Sequence, residues 1–344
     1  MLNYVTSRSD LPDKIKDELK KANVYYSEGY EEFCKKAGKN IVFFYSDIYV
    51  WMSCIKKIKL FVIAELPTEP FCIGDIQSNK TQNDISAFLS EACIIMKEKL
   101  RVHWAGPVQN QAIFLAKPDK STYIPFGNYV IDLSLSEEEL WSNVHSKHRN
   151  VIRKAEKDGL EVVFGNSEDL LKQYLDMDAI TWARSNKKSY TEKTVRDMLK
   201  YSKDNVIIYI VKKDNVNQGG AIFYYNKKMS YYLYGASIDK PSTGAMNYLH
   251  WKAILDMKKD GVEKYSFVGC RINEDADSKY HTIQRFKERF GGELIQGYMF
   301  KCIFNKSMYI LYKLLKCVKE RRKFNTPMDI IDQELWKWNG SEAN

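Results

Sequence analysis

Residues Asn205–Ser237 read "NVIIYIVKKDNVNQGGAIFYYNKKMSYYLYGAS", three runs rich in β-branched and aromatic residues separated by short polar turns. That pattern predicts an antiparallel meander. It is followed by "GAMNYLHWKAILDMKKDG" (Gly244–Gly261), a predicted helix, and by "KYSFVG" (Lys264–Gly269), a predicted short strand. The same order occurs earlier in the chain. "NIVFFYSDIYVWMSCIKKIKLFVIAEL" (Asn40–Leu66) reads as a meander and "DISAFLSEACIIMKEKL" (Asp84–Leu100) as a helix, with "RVHWAG" (Arg101–Gly106) as a short strand. In that helix Asp84 is the expected N-cap, and Ile85, Phe88, Leu89, Ala92, Ile95 and Met96 fall at helical spacing. The two blocks repeat an order of elements and not a set of residues, which predicts two domains of one fold.

Between the blocks a strand ends at Asp132, and a Ser/Glu-rich turn near Ser136 opens a helix. Its apolar side is expected to include Leu140, Trp141, Val144, Val151, Ile152 and Ala155, with Gly159 closing it before the strand "LEVVF". Helices near 168–184 and 191–202 lead into the second meander. After the second block comes "QRFKERFGGEL" (Gln284–Leu294), where Phe286 and Phe290 frame Lys287, Glu288 and Arg289. Gly291 and Gly292 let the backbone leave that helix at once for a last strand, "ELIQGYMFKCIF".

Composition narrows the classes. With 44% hydrophobic and 28% charged residues the chain is globular and not disordered. Its 344 residues exceed one ordinary compact domain. Seven cysteines form no CxxC pair and leave an odd count, so free thiols in a reducing compartment are expected and zinc is not. The five histidines form no ligand set by spacing, and no GxSxG, P-loop or dinucleotide fingerprint is present. The first residues carry no apolar signal core, and no apolar run approaches the roughly 20 residues of a membrane span. The expected location is cytoplasmic, with a peripheral contact at the inner face of the membrane as one option.

That option comes from the charge. Net charge is +9, and Lys306–Lys323 holds seven Lys or Arg against one Glu. The segment either meets an anionic partner, RNA or a lipid surface, or is the solvated face of a terminal helix packed through Tyr309, Leu311, Leu314 and Leu315.

Three further groups are candidates for binding. Arg149 and Arg153 lie four apart on one helical face with Glu156, and serve either anionic groups of a substrate or ion pairs within the protein. Ser242, Thr243 and Gly244 begin the second-block helix, with Asn247 in its first turn, and the N–H groups there suit an anion or an ordinary cap. Tyr232 and Tyr234, two apart on a strand before Gly235, would share one face and either bind an acceptor or pack as half-buried strand residues.

Meander, helix and strand form the core order of the GNAT acyltransferase fold, whose central strands splay apart to admit an acyl donor. "WSNVHSKHRNVIRKAEKDGLEV" (Trp141–Val162), "GAMNYLHWKAILDMKKDGVEKYSFVG" (Gly244–Gly269) and "FKERFGG" (Phe286–Gly292), in this order, resemble the Fem family of peptidoglycan-bridge aminoacyltransferases. The resemblance implies an α/β (α+β) protein of two tandem GNAT-like domains, each a mixed, mostly antiparallel sheet flanked by helices. It divides the chain into 1–145, a catalytic 146–305, and a basic helical segment 306–344. It implies an enzyme that forms an amide by transferring an amino acid from aminoacyl-tRNA to an amine of a cell-wall or glycan precursor, with no metal. In that family the lysine matched by Lys287 faces the cleft and steadies negative charge on the attacked carbonyl. Phe286 would orient it, and Arg289, Tyr232, Tyr234, Gly244, Asn247, Arg149 and Arg153 would contact donor or substrate.

The chain departs from the pattern at "YSFVGC", where Ser266 and Val268 stand in place of the family's Asp and Gly. It also has the single Gly244 where a coenzyme A-dependent member shows a richer glycine loop. The alternatives are N-acylation of an amino sugar from acyl-CoA or an acyl carrier, and a non-catalytic module binding anions or membranes.

Overall fold

A computed structural model of the chain describes residues 2–74, 81–184, 189, 191–272, 278–324 and 326–341. The chain forms two compact units, one of residues 1–21, 34–127 and 296–344, the other of residues 22–33 and 128–295. The boundaries expected at 145 and 305 therefore lie instead within the strands Thr122–Asp132 and Glu293–Ile303. The basic C-terminal segment is not separate, because it belongs to the first unit.

In the first unit Lys39–Tyr45, Tyr49–Ile58 and Phe61–Leu66 form the expected antiparallel meander. Trp104–Val108 runs parallel to its last strand, from Ile63↔Trp104 to Leu66↔Val108. One face of this sheet carries Val42, Phe44, Trp51, Ala64 and Leu66, which meet Phe88, Leu89, Ala92 and Met96 of the helix Gln82–Glu98. Helical periodicity had marked those four residues correctly. The cap differs: Thr81 is the N-cap, and Asp84 is the third helical residue, returning its carboxylate to the Thr81 N–H at 3.0 Å.

Phe61, Ile63 and Trp104 on the same strands pack instead against Met308, Tyr309 and Tyr312 of the helix Lys306–Lys319. The expected packing through Leu311, Leu314 and Leu315 is not observed, and all three are exposed. Beneath this helix Lys301 is 3% exposed and held by Asp329 at 2.8 Å and Asp332 at 2.5 Å. Asp332 belongs to a further helix, Ile330–Ser341, so the expected helical segment 306–344 contains two helices.

The second unit repeats the order. Val206–Lys213, Val216–Tyr225 and Ser230–Ser237 form the meander, and Glu161–Gly165 extends it antiparallel to Val206–Lys213. Lys264–Ser266 pairs parallel to Ser230–Ser237 and antiparallel to residues 130–132. The helices Ser146–Lys157 and Ala245–Lys259 bury Ile152, Ala155, Tyr248, Leu249 and Ile254 in one core with Tyr209, Phe223, Tyr265, Phe267 and Phe290. Elsewhere in this unit Tyr25 packs edge-on to Tyr30, Tyr224 and Tyr231 at 5.0–5.5 Å, which ties residues 22–33 to this sheet.

The single helix expected from Ser136 to Gly159 is two, Glu137–Asn143 and Ser146–Lys157. Val144 is extended, and His145 caps the second helix by accepting the Lys147 N–H on Nδ1 at 3.1 Å. The break is held from outside the helix, since the His145 N–H donates to the Arg289 carbonyl at 2.8 Å.

Candidate active site

The feature that sets the two parallel pairs apart is how soon the second one ends. Ser230↔Tyr265 and Tyr231↔Ser266 are its two register pairs. Beyond them the strand from Tyr232 to Ser237 continues, while the other chain turns away through Val268 at φ 44° and Gly269 at φ 26°. A left-handed Val is a strained conformation that the surroundings must hold. A bulge on the longer strand adds to the divergence, because Phe223↔Tyr232 and Ile222↔Tyr234 leave Leu233 as an extra residue.

Lys287 holds that turn. Its Nζ donates to the Val268 carbonyl and to the Gly269 carbonyl, the latter at 2.6 Å. The residue is 7% exposed, and among the described residues no carboxylate pairs with it. Burial pulls its pKa down to about 8, with Cys270 opposing the shift. Lys287 is therefore not capping its own helix, Lys279–Glu288, whose C-terminus is closed by the Arg289 N–H bonding to the Arg285 and Lys287 carbonyls. An ammonium has three protons, and two are assigned to carbonyls.

An aromatic wall surrounds this point. Phe286 packs against Phe290 at 5.3 Å and His148 at 5.3 Å, and its carbonyl accepts from His148 Nε2 at 3.0 Å. Burial, with Arg289 and His145 nearby, lowers the His148 pKa to about 4 in spite of that bond, so the ring is neutral at pH 7. His250, which nothing in its local spacing distinguishes, lies at the centre of the wall and is fully buried. Its Nδ1 meets the Tyr265 hydroxyl at 2.6 Å, and Nε2 has no partner among the described residues. Burial first, then His148 and Lys287, push its pKa to about 3. Lys287, a desolvated cation, thus lies beside neutral imidazoles and aromatic rings.

The remaining expected residues fall in several places. Tyr232 joins the wall, 4.5 Å from His250, and burial raises its phenol to about 12, so it is a neutral donor at pH 7. Gly235 is required there, because a Cβ would overlap the Tyr232 hydroxyl. The bulge sets Tyr234 opposite Ile222, so the two tyrosines do not share one face as their spacing predicted. Gly244 is the left-handed N-cap of Ala245–Lys259, and a Cβ on it would run into the Val151 carbonyl. Its missing side chain makes room for a neighbouring helix. Asn247 lies half-buried in the first turn of that helix.

Arg149 turns inward to its own chain, and its Nη1 donates to the Ser142 and Val144 carbonyls at 2.8 and 2.6 Å, closing the C-terminus of Glu137–Asn143. Arg153, exposed, lies 5.2 Å over the Trp141 ring. Arg289 contributes its backbone, as above. Of the Gly291–Gly292 pair, Gly291 at φ 82° is the one that geometry demands, since a Cβ would sit 2.7 Å from both the Cβ and the carbonyl oxygen of Asn143. Among the described residues there is no group of three His, Cys, Asp or Glu placed to hold a metal ion.

Comparison with known proteins bears on the fold. Residues 142–287 match the family model of the acetyltransferase (GNAT) domain, a match that takes in the helices, the meander and the splay up to Lys287. No curated protein sequence matches the chain. Among solved structures it is similar to FemX, with a TM-score of 0.66 at 15% identity, over 90% of this chain and 99% of that one. It is also similar to the C-terminal domain of a candidate lysylphosphatidylglycerol synthetase from Agrobacterium fabrum, with a TM-score of 0.55 at 12% identity over 89% and 96% of the two chains. L-PGS from Bacillus licheniformis gives 0.52 at 13% identity, over 91% and 97%. The GNAT architecture is shared along most of the chain, and the Fem resemblance holds at the level of fold.

Proposed function

We propose that the chain is an acyltransferase that forms an amide, moving an amino acid from aminoacyl-tRNA to an amine of a cell-envelope precursor. The observation that carries this reading is the early end of the Ser230–Ser237/Lys264–Ser266 pair, with the buried Lys287 ammonium, which no carboxylate among the described residues meets, at its foot. An acyl ester laid along the open strand edge brings its carbonyl toward that charge. The acceptor nitrogen attacks, the C–N bond forms, and the carbonyl oxygen becomes an oxyanion. When it collapses, the ester C–O bond breaks and the leaving hydroxyl takes the proton lost by the nitrogen. The donor is already activated, so the protein contributes alignment and charge stabilisation. With water excluded, one such contact is worth roughly a hundredfold in turnover.

Gly244 supports a tRNA ester over a coenzyme A thioester. The pyrophosphate of coenzyme A needs backbone approach at a glycine loop, and here the one glycine is filled by the Val151 carbonyl. The resemblance of Trp141–Val162, Gly244–Gly269 and Phe286–Gly292 to the Fem aminoacyltransferases points the same way. The second reading, acylation of an amino sugar from acyl-CoA, is favoured by the description of the matched domain as an acetyltransferase. Incubating the protein with cell-envelope amine precursors and either labelled aminoacyl-tRNA or labelled acyl-CoA distinguishes them. Label entering the amine from aminoacyl-tRNA is the expected result, and label entering from acyl-CoA alone would replace the first reading by the second.

A further inference from the structure

The helix Lys306–Lys319 carries two apolar stripes, and the protein uses one. Met308, Tyr309 and Tyr312 cover Phe61, Ile63 and Trp104. At 100° per residue Ile310, Leu311, Leu314, Leu315 and Val318 form a second stripe on another side of the helix, and each is exposed, from 39% at Leu311 to 78% at Val318. Lys306 and Lys313 lie along one margin of this stripe and Lys319 along the other. The next residues add Arg321, Arg322 and Lys323. Phe324 is 43% exposed with the Lys313 ammonium 4.9 Å over its ring.

Five aliphatic side chains in one exposed stripe are unusual for a surface that meets only water. We propose that this stripe docks the protein on an anionic lipid surface, with the aliphatic side chains entering the acyl boundary and the lysines on both margins meeting headgroup phosphates. The arrangement is that of an interfacial helix, with an apolar face, a basic border and no acidic residue between Lys306 and Lys319. Charge complementarity selects anionic over neutral lipid. RNA fits the border but not the stripe, because nucleic acid is gripped by cations and aromatic platforms and not by a row of Leu, Ile and Val. No helix among the described residues is long and apolar enough to cross a membrane, so the contact is peripheral. The inference does not depend on the chemistry proposed for the second unit.

The test is flotation of the full chain with vesicles of phosphatidylcholine alone or mixed with phosphatidylglycerol, at low and high salt. Binding to the mixed vesicles, weakened by salt and absent from phosphatidylcholine, is expected. Lys313→Gln and Lys319→Gln should each lower it roughly fivefold, the scale of one cation near an anionic surface. Ile310→Ser/Leu314→Ser/Val318→Ser, which alters exposed positions alone, should abolish it while leaving the thermal melt and single-stranded RNA binding as in the parent. The proposal is overturned if the parent does not float with the mixed vesicles. It is also overturned if the triple variant floats as the parent does, or if the parent sediments as a dimer that the triple variant dissociates and neither floats.

Discussion

Each unit buries a lysine, and the two are opposites. In the first unit, burial alone would lower the Lys301 pKa, but Asp329 and Asp332 overcome it and hold the group above the ordinary lysine range. In the second, Lys287 is buried to nearly the same degree and faces two carbonyls, and its pKa falls to about 8. The same residue type at the same depth is a closed ion cluster in one place and, among the described residues, a cation without a carboxylate partner in the other. The parallel strand pairs follow the same division. The first runs from Ile63↔Trp104 to Leu66↔Val108, and the second stops after two pairs. A completed sheet with a neutralised lysine is a structural solution, whereas an interrupted sheet with a charged one holds energy that binding can release.

Substitutions at the two lysines should separate stability from turnover. Lys301→Met leaves two half-buried carboxylates beside each other without a counter-charge and is expected to cost up to about 3 kcal/mol, seen as a fall in the thermal midpoint. Adding Asp329→Asn and Asp332→Asn should recover much of it. If Lys301→Met melts as the parent does, the cluster is not the structural element described here.

The pH dependence of stability reads the other lysine. Between pH 8 and 10.5 the unfolded chain holds a proton on Lys287 that the folded protein has released, so folding becomes more favourable as pH rises through that window. Below pH 8 the cost of the buried charge is present in full, about 3 kcal/mol from the displacement of the pKa. Denaturant titrations of the parent and Lys287→Met across this window should therefore show the parent gaining on the variant with rising pH. A constant difference would place the Lys287 pKa at its ordinary value.

The glycine pair offers a smaller contrast. Gly291→Ala forces a left-handed alanine against Asn143 and should destabilise by about 1–3 kcal/mol. Gly292→Ala meets Ile131 and Val130 at 3.3 Å with no positive φ, and should cost less. Equal losses would mean that the chain does not leave the helix in the way described.

The contrast between the units also shows what local sequence contains. Both meanders and the helices after them were legible because alternation and helical periodicity are properties of neighbouring residues, as Phe88, Leu89, Ala92 and Met96 illustrate. The break at Val144 was not, because the apolar spacing from Leu140 through Ile152 continues across it. What interrupts the helix is the Arg289 carbonyl, far away in sequence. The Lys306–Lys319 helix has two apolar stripes, and periodicity cannot choose which one the sheet selects. Residues 22–33 and the later helix Ile330–Ser341 are placed by tertiary partners, Tyr224 and Tyr231 for one and Lys301 for the other. At the site, "FKERFGG" marked Lys287 and Phe286, but the burial of Lys287 and its two carbonyl partners are facts of packing. Spacing put Tyr234 beside Tyr232 until the bulge at Leu233 separated them. His250 sat in an ordinary helical pattern with nothing to distinguish it.

Single-turnover transfer by Lys287→Met, with acceptor binding and the thermal melt measured on the same preparation, tests the central claim most directly. If Lys287 stabilises the oxyanion, the variant folds and binds acceptor nearly as the parent does while its chemical step is slower by roughly a hundredfold. Lys287→Arg should restore little, since a planar guanidinium does not replace a compact ammonium between two carbonyls. A folded Lys287→Met that transfers at the parent's rate would contradict it, and would leave Lys287 as a clamp on the Val268–Gly269 turn and nothing more.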